Sequence, residues 1–228
     1  YPACDYRIYK EYSKNLYKML LEYTDKIERF SIDECFMDMT GYLLNSTLLE
    51  KACEISKRVK ETFGFTVNIG VAHNKLLAKM ASDFEKPDKV HTLFENEIEE
   101  KMWCLPVSEL FMLGKKTLPK LANMKIYTIG DLAKRDKEEI IKKFGKNVLL
   151  IFEYANGIDK SEVISVREKP KSIGNSVTLP YNIKEKEKLE EIVLALIEQV
   201  AYRLRKEGML ANVVGVELRT KDFKDISH

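Results

Sequence analysis

Residues 8–24 place Ile8, Tyr12, Leu16, Met19, Leu20 and Tyr23 at three- and four-residue intervals, the stripe of an amphipathic helix that needs a sheet to lie on. Residues 26–30 and 35–39 read as two short strands, with β-branched and aromatic residues on either side of Ser31-Ile32-Asp33-Glu34. The pattern predicts a hairpin with carboxylates at its tip. A second helix fits residues 48–63, with Asn45, Ser46 and Thr47 as cap candidates and Gly64 as its stop. Alternation over residues 65–71 predicts a strand, Asn74 can cap a third helix running to about Phe84, and Lys86-Pro87 halts that helix. The short apolar run at 89–94 completes the order helix, hairpin, helix, strand, helix, strand, an α/β layer.

From Glu95 the alternation disappears. Short helical pieces follow, separated by Pro106, Gly114, Gly130, Gly145 and Gly157, which predicts a small all-α domain. Within it, residues 110–118 and 126–132 suggest helix, tight turn, helix, then a further helix capped at Thr128. Residues 159–172 are polar and carry Arg167, Lys169, Pro170 and Lys171, the composition of an exposed linker. Beyond it, residues 173–179 read as a strand, 184–205 as a long helix with Leu189, Ile192, Val193, Leu196, Val200 and Leu204 on one face, and 211–220 as a strand. That is one βαβ-like half-sheet.

The 228 residues hold 38 Lys+Arg against 36 Asp+Glu, so the net charge of +2 excludes a histone-like arm or an acidic tail. A hydrophobic fraction of 45% is enough to bury a core and excludes disordered and collagen-like classes. Apolar runs such as 193–197 and 148–152 are far shorter than the roughly 20 residues a bilayer demands, so the chain reads as soluble. Cys4, Cys35, Cys53 and Cys104 are too dispersed for a ligand pair, and three histidines show no zinc-type spacing. No disulfide and no structural metal are expected, and the dispersed thiols with no signal peptide point to the cytoplasm. The chain opens at Tyr1 without a methionine and stops soon after an apolar strand-like run, which reads as an excised fragment.

Asp33 and Glu34 are the sharpest chemical feature, because adjacent acids inside an apolar hairpin repel each other unless a cation or solvent compensates. A solvated turn is the plain alternative, since Asp is favoured in turns. Asp38 faces solvent on the period-two alternation and is not taken as a ligand. A Mg²⁺ site for phosphoryl transfer takes one or two carboxylates, with waters and substrate phosphates completing it. Lys79 and Lys86 are candidate phosphate partners, although lysines near a helix C-terminus also stabilise the macrodipole. Trp103 reads as a packing anchor, and His73 as a helix-start residue.

The strings decide between these readings. Lys26-Ile-Glu-Arg-Phe-Ser31-Ile32-Asp33-Glu34-Cys-Phe-Met-Asp38, followed by Val67-Asn-Ile-Gly-Val-Ala-His-Asn74-Lys75-Leu-Leu-Ala-Lys79-Met-Ala-Ser-Asp83-Phe-Glu-Lys86-Pro87, closely resemble the Y-family, or translesion, DNA polymerases. The resemblance covers essentially the whole chain. It implies an α+β fold: a truncated palm with a mixed sheet and helices over 1–102, a small all-α, helix-hairpin-helix-like thumb over 103–158, a linker over 159–172, and a partial βαβ little finger over 173–228. It implies that Asp33 and Glu34 are two of three acidic ligands of a two-ion Mg²⁺ site, and that Lys86 meets the incoming deoxynucleoside triphosphate. Two metals about 3.5–4 Å apart would then serve nucleotidyl transfer.

Several departures from the family pattern matter. By the resemblance, the opening strand with the first metal-binding Asp, the gate against ribonucleotides and the fingers would precede Tyr1, and the end of the little finger would follow His228; the expectation is that this fragment alone does not extend a primer. In the thumb turn, Met112 stands where the family has its first hairpin glycine, leaving Gly114; Lys115 and Lys116 can still meet DNA phosphates. Arg167, Lys169 and Lys171 lead into the first little-finger strand and are the other expected contacts to primer–template DNA. A sliding clamp would be a partner through a region not present here, and no membrane partner is expected. The competing readings are a nonenzymatic DNA-binding or regulatory fragment and a nucleotidyl-cyclase-like palm; the all-α segment and the tail favour the polymerase.

Overall fold

Asp5 opens the first helix, α1 (Tyr6–Leu20), its carboxylate accepting the Arg7 backbone N–H. The apolar stripe extends past the end of the helix: the chain turns at residues 21–23, and the buried Thr24 hydroxyl donates to the Asp38 carbonyl while accepting the Lys26 N–H. That contact feeds the chain into the antiparallel hairpin β1 (Ile27–Arg29) and β2 (Cys35–Met37), in register from Ile27 opposite Met37 to Arg29 opposite Cys35. This computed structural model describes residues 5–43, 46–145, 148–166 and 169–228, in two compact units, 1–167 and 168–228.

Helix α2 (Leu48–Phe63) begins with a reciprocal capping box between Thr47 and Glu50 and ends at Gly64 in the left-handed region, φ 75°. Strands β3 (Ile69–Val71) and β4 (Val90–Thr92) pair in parallel and are joined by α3 (Lys75–Ser82), whose N-cap is Asn74. Met19, Leu20, Ile27, Ile55 and Val59 form a small core beneath the hairpin. The expected mixed palm sheet is corrected: the described residues of the first unit form two separate two-stranded ladders, one antiparallel and one parallel.

Residues 95–109 make short 3₁₀ and π turns, followed by α4 (Leu118–Ala122), α5 (Ile129–Ala133), α6 (Lys137–Phe144) and α7 (Leu149–Ala155). Thr128 caps α5, and the Asp131 carboxylate accepts the backbone N–H of Tyr127 and of Thr128. Those two backbone hydrogen bonds hold the Asp131 carboxyl below its usual value. A carboxyl depressed on folding adds stability above its unfolded pKa of about 3.9 and loses it as pH falls through the folded value. Acidification from pH 5 towards pH 2 is therefore expected to lower the urea midpoint, and Asp131→Asn to flatten that slope; equal slopes would remove the assignment. One cluster joins Leu76, Leu77 and Met80 of α3 to Met102, Leu121, Ile129, Leu132 and Ile140, so the α/β layer and the helical pieces share a core. Trp103 sits in it as a packing residue, its indole N–H donating to the Ala155 carbonyl at 3.0 Å.

The second unit corrects the expected βαβ tail. Helix α8 (Lys186–Lys206) forms, but residues 173–179 make no ladder, and β5 (Glu217–Arg219) turns back on β6 (Asp225–Ser227) as an antiparallel hairpin. A strand exists only where a neighbouring backbone accepts its hydrogen bonds. For β5 that neighbour is the next segment, with Arg219 ion-paired to Asp225 at 2.6 Å.

Candidate active site

The turn between β1 and β2 closes because the N–H groups of Phe30 and Ser31 both donate to the Glu34 carbonyl, at 3.0 and 3.1 Å. The Ser31 hydroxyl donates to Asp33 Oδ1 at 2.7 Å, with Glu34 Oε2 as a longer alternative at 3.3 Å. Asp33 and Glu34 thus sit side by side on a local scaffold set by a serine two residues upstream. Behind the turn, burial pushes the Cys35 thiol up to about 11 against the opposing charge of Arg29, so this cysteine is not a nucleophile. Phe30 packs on Phe111 of the helical segment, ring centroids 5.8 Å apart, and Phe111 stacks on Tyr154.

Helix α3 faces the turn across a cleft of 1810 Å³ whose walls include Asp33, Glu34, Lys79, Asp83 and Lys86. Lys79 Nζ lies 2.5 Å from Glu34 Oε1 and 2.9 Å from Asp83 Oδ2, and Lys86 Nζ lies 2.8 Å from Asp83 Oδ1. Burial lowers the affinity of Lys79 for its proton, but the hydrogen bonds to Glu34 and Asp83 outweigh it and leave its pKa above the ordinary value. For Asp83 burial acts upward, and the hydrogen bonds from Lys86 and Lys79 bring the net direction below the usual carboxylate range.

Sequence reasoning missed the braces of this wall. Lys75 pairs with Glu28 of β1 at 2.8 Å, both largely buried, and the same carboxylate accepts the Ile164 N–H at 2.9 Å. Asp159 accepts the Leu76 N–H at the start of α3, and the Asn74 amide donates to the Gly157 carbonyl. Glu28 and Lys75 both stand in the strings that carry the family resemblance, but 47 residues separate them and no local period links them.

The structure brings Asp33, Glu34 and Lys86 to one cleft. Lys115 and Lys116 are exposed in the turn before α4, where Met112 itself takes the left-handed conformation, φ 66°. Lys169 and Lys171 are exposed at the start of the second unit, and Arg167 lies outside the described residues. Among the described residues no group of three or more His, Cys, Asp or Glu side chains is arranged to hold a metal ion. Two adjacent carboxylates with hard oxygen donors at a solvent-reached turn nevertheless suit a Mg²⁺ ion that keeps several waters. Glu34 already holds the Lys79 ammonium at one oxygen, so a metal ion there would compete with that pair. Among the described residues no helix is long and apolar enough to cross a membrane.

Residues 2–83 match the impB/mucB/samB family, and residues 170–228 match the C-terminal domain of that family. The chain is 44% identical over 220 residues to DNA polymerase IV of Clostridium acetobutylicum, covering 96% of this chain and 56% of that protein. It is 37% identical over 220 residues to DNA polymerase IV 1 of Bacillus subtilis, covering 96% and 53%. The chain thus spans about half the length of the curated relatives it matches. A solved Y-family DNA polymerase chimera, Dbh-Dpo4(243-245)-Dbh, superposes with a TM-score of 0.78 at 25% identity, covering 98% of this chain and 64% of that one. DinB from Sulfolobus solfataricus shares the fold, with a TM-score of 0.59 at 24% identity over 98% of this chain and 65% of its own. With both family domains matched in order and this fold around the acid-bearing hairpin, the chain belongs to the impB/mucB/samB family of Y-family DNA polymerases.

Proposed function

We propose that this chain serves DNA-directed DNA synthesis of the translesion type in DNA repair, with residues 1–102 as palm, 103–158 as thumb, 159–172 as linker and 173–228 as part of a little finger. The observation that carries the proposal is the hairpin tip: Asp33 and Glu34 adjoin each other across a cleft from the lysines of the α3 region. The relatives named DNA polymerase IV support the same reading. Asp33 and Glu34 would hold Mg²⁺, which when bound supplies charge neutralisation for nucleotidyl transfer. Lys86, 60% exposed and paired with Asp83 at the cleft rim, would swing to a triphosphate. Ser31 fixes the Asp33 carboxylate through the 2.7 Å hydrogen bond, which spares it a search among rotamers. Lys115, Lys116, Arg167, Lys169 and Lys171 would meet the phosphates of primer–template DNA and position it without reading sequence.

Two binding measurements test this. Fluorescence anisotropy on primer–template DNA is expected to show affinity falling at least about tenfold between 50 and 200 mM salt, as counterion release requires. Deoxynucleotide binding is expected to depend on Mg²⁺ and to fall with Asp33→Asn, Glu34→Gln or Lys86→Met, while DNA binding persists in those variants. Nucleotide binding indifferent to Mg²⁺ and to all three substitutions would leave only the nonenzymatic DNA-binding alternative; DNA affinity indifferent to salt would remove the contact set.

A further inference from the structure

Four side chains along one edge of the cleft alternate in charge: Glu34, Lys79, Asp83, Lys86. Lys79 is the inner member, its side chain 15% exposed, against 39% for Glu34 and 44% for Asp83. Its ammonium has three protons and two carboxylate partners, one on the hairpin and one a single helical turn further along its own chain. An ammonium at 2.5 Å occupies one lone pair of Glu34 Oε1 and offsets much of its charge. A divalent ion at this carboxylate competes with it. Displacement does not strand a half-buried charge, because Asp83 remains as a partner at 2.9 Å.

We propose that Lys79 is a positioning residue that holds Glu34 in place when no ion is bound and withdraws onto Asp83 when a divalent cation takes the carboxylate. Asp83 is then the acceptor that makes the exchange cheap, which assigns a role to an acid that lies outside the metal set. The inference rests on the proposed metal-holding role of Glu34. It specifies what competes with the cation and where the competitor goes.

Mn²⁺ binding to the full chain, followed by electron paramagnetic resonance of the free ion at low ionic strength, tests it, with circular dichroism confirming that each variant is folded. Lys79→Met is expected to tighten Mn²⁺ binding about two- to fivefold, the upper part of the range for losing one competing ion pair. Lys60→Met removes the same charge from α2, where the exposed ammonium sits on Asp88 instead, and is expected to change affinity less than twofold. Asp83→Asn, which leaves Lys79 no second carboxylate, is expected to weaken binding about threefold. Equal effects of Lys79→Met and Lys60→Met, or a tightening by Asp83→Asn, would overturn the exchange while leaving the metal-holding reading intact. No Mn²⁺ binding in either the unmodified chain or Lys79→Met would overturn both.

Discussion

Gly70→Ala is expected to cost at least about 3 kcal/mol, the largest effect of any single methyl addition in this chain. A Cβ at Gly70 would lie 1.8 Å from the Ala78 carbonyl oxygen, 2.8 Å from the Ala78 carbonyl carbon and 2.7 Å from the Ser82 nitrogen. All three are backbone atoms of α3, so no rotamer change relieves the clash. Strand β3 and α3 approach more closely than any side chain on the strand allows, and only glycine permits it. The helix must move outward, and with it Lys79, whose partner Glu34 stands on the opposite hairpin. Urea unfolding gives the stability change, and a loss below 1 kcal/mol would show that the strand and helix are not packed this tightly. Gly70 lies on the inner wall of the cleft, so the same close contact that stabilises the layer sets the distance between the lysines and the acids.

The second large effect concerns Leu77→Ala, expected to destabilise by about 2–5 kcal/mol, the range for emptying a fully buried leucine site. Leu77 is 0% exposed and belongs to the cluster that runs from α3 through Met102 to Leu121 and Leu132. A core shared in this way makes the α/β layer and the helical segment unfold together. Trp103, the single tryptophan, reports on the helical side through its hydrogen bond to Ala155. Its fluorescence and the far-ultraviolet circular dichroism of residues 1–167 are therefore expected to shift to a lower urea midpoint together. A tryptophan transition left in place by Leu77→Ala would mean that α3 and the helical segment do not unfold together.

Legibility in the sequence followed the range of the interactions. The helices were readable because their stripes recur every three or four residues and their ends carry local chemistry: Thr47, Asn74 and Thr128 cap through their own side chains, and Gly64 ends α2 in a conformation few other residues adopt cheaply. The hairpin tip was readable for the same reason, since Ser31, Asp33 and Glu34 are hydrogen-bonded within four residues. The tail is not legible in this way: residues 173–179 have the composition of a strand and no ladder, while the β6 half of the final hairpin, Asp225-Ile226-Ser227, has little strand propensity by itself.

Sequence alone therefore determined the order of helices, the turn that displays two acids, the presence of lysines within reach of α3, and the family strings that join them. Tertiary structure alone decided that Lys79, 45 residues beyond Glu34, occupies its carboxylate, that Glu28 and Lys75 brace the cleft with the Ile164 backbone, and that α3 shares one core with the helical segment. Caps, turns and periods are written within one or two helical turns of chain. Ion pairs and packing between distant segments depend on where the chain has been brought, and hydrophobic burial, which brings it there, has no direction and leaves no local mark of which partners will meet.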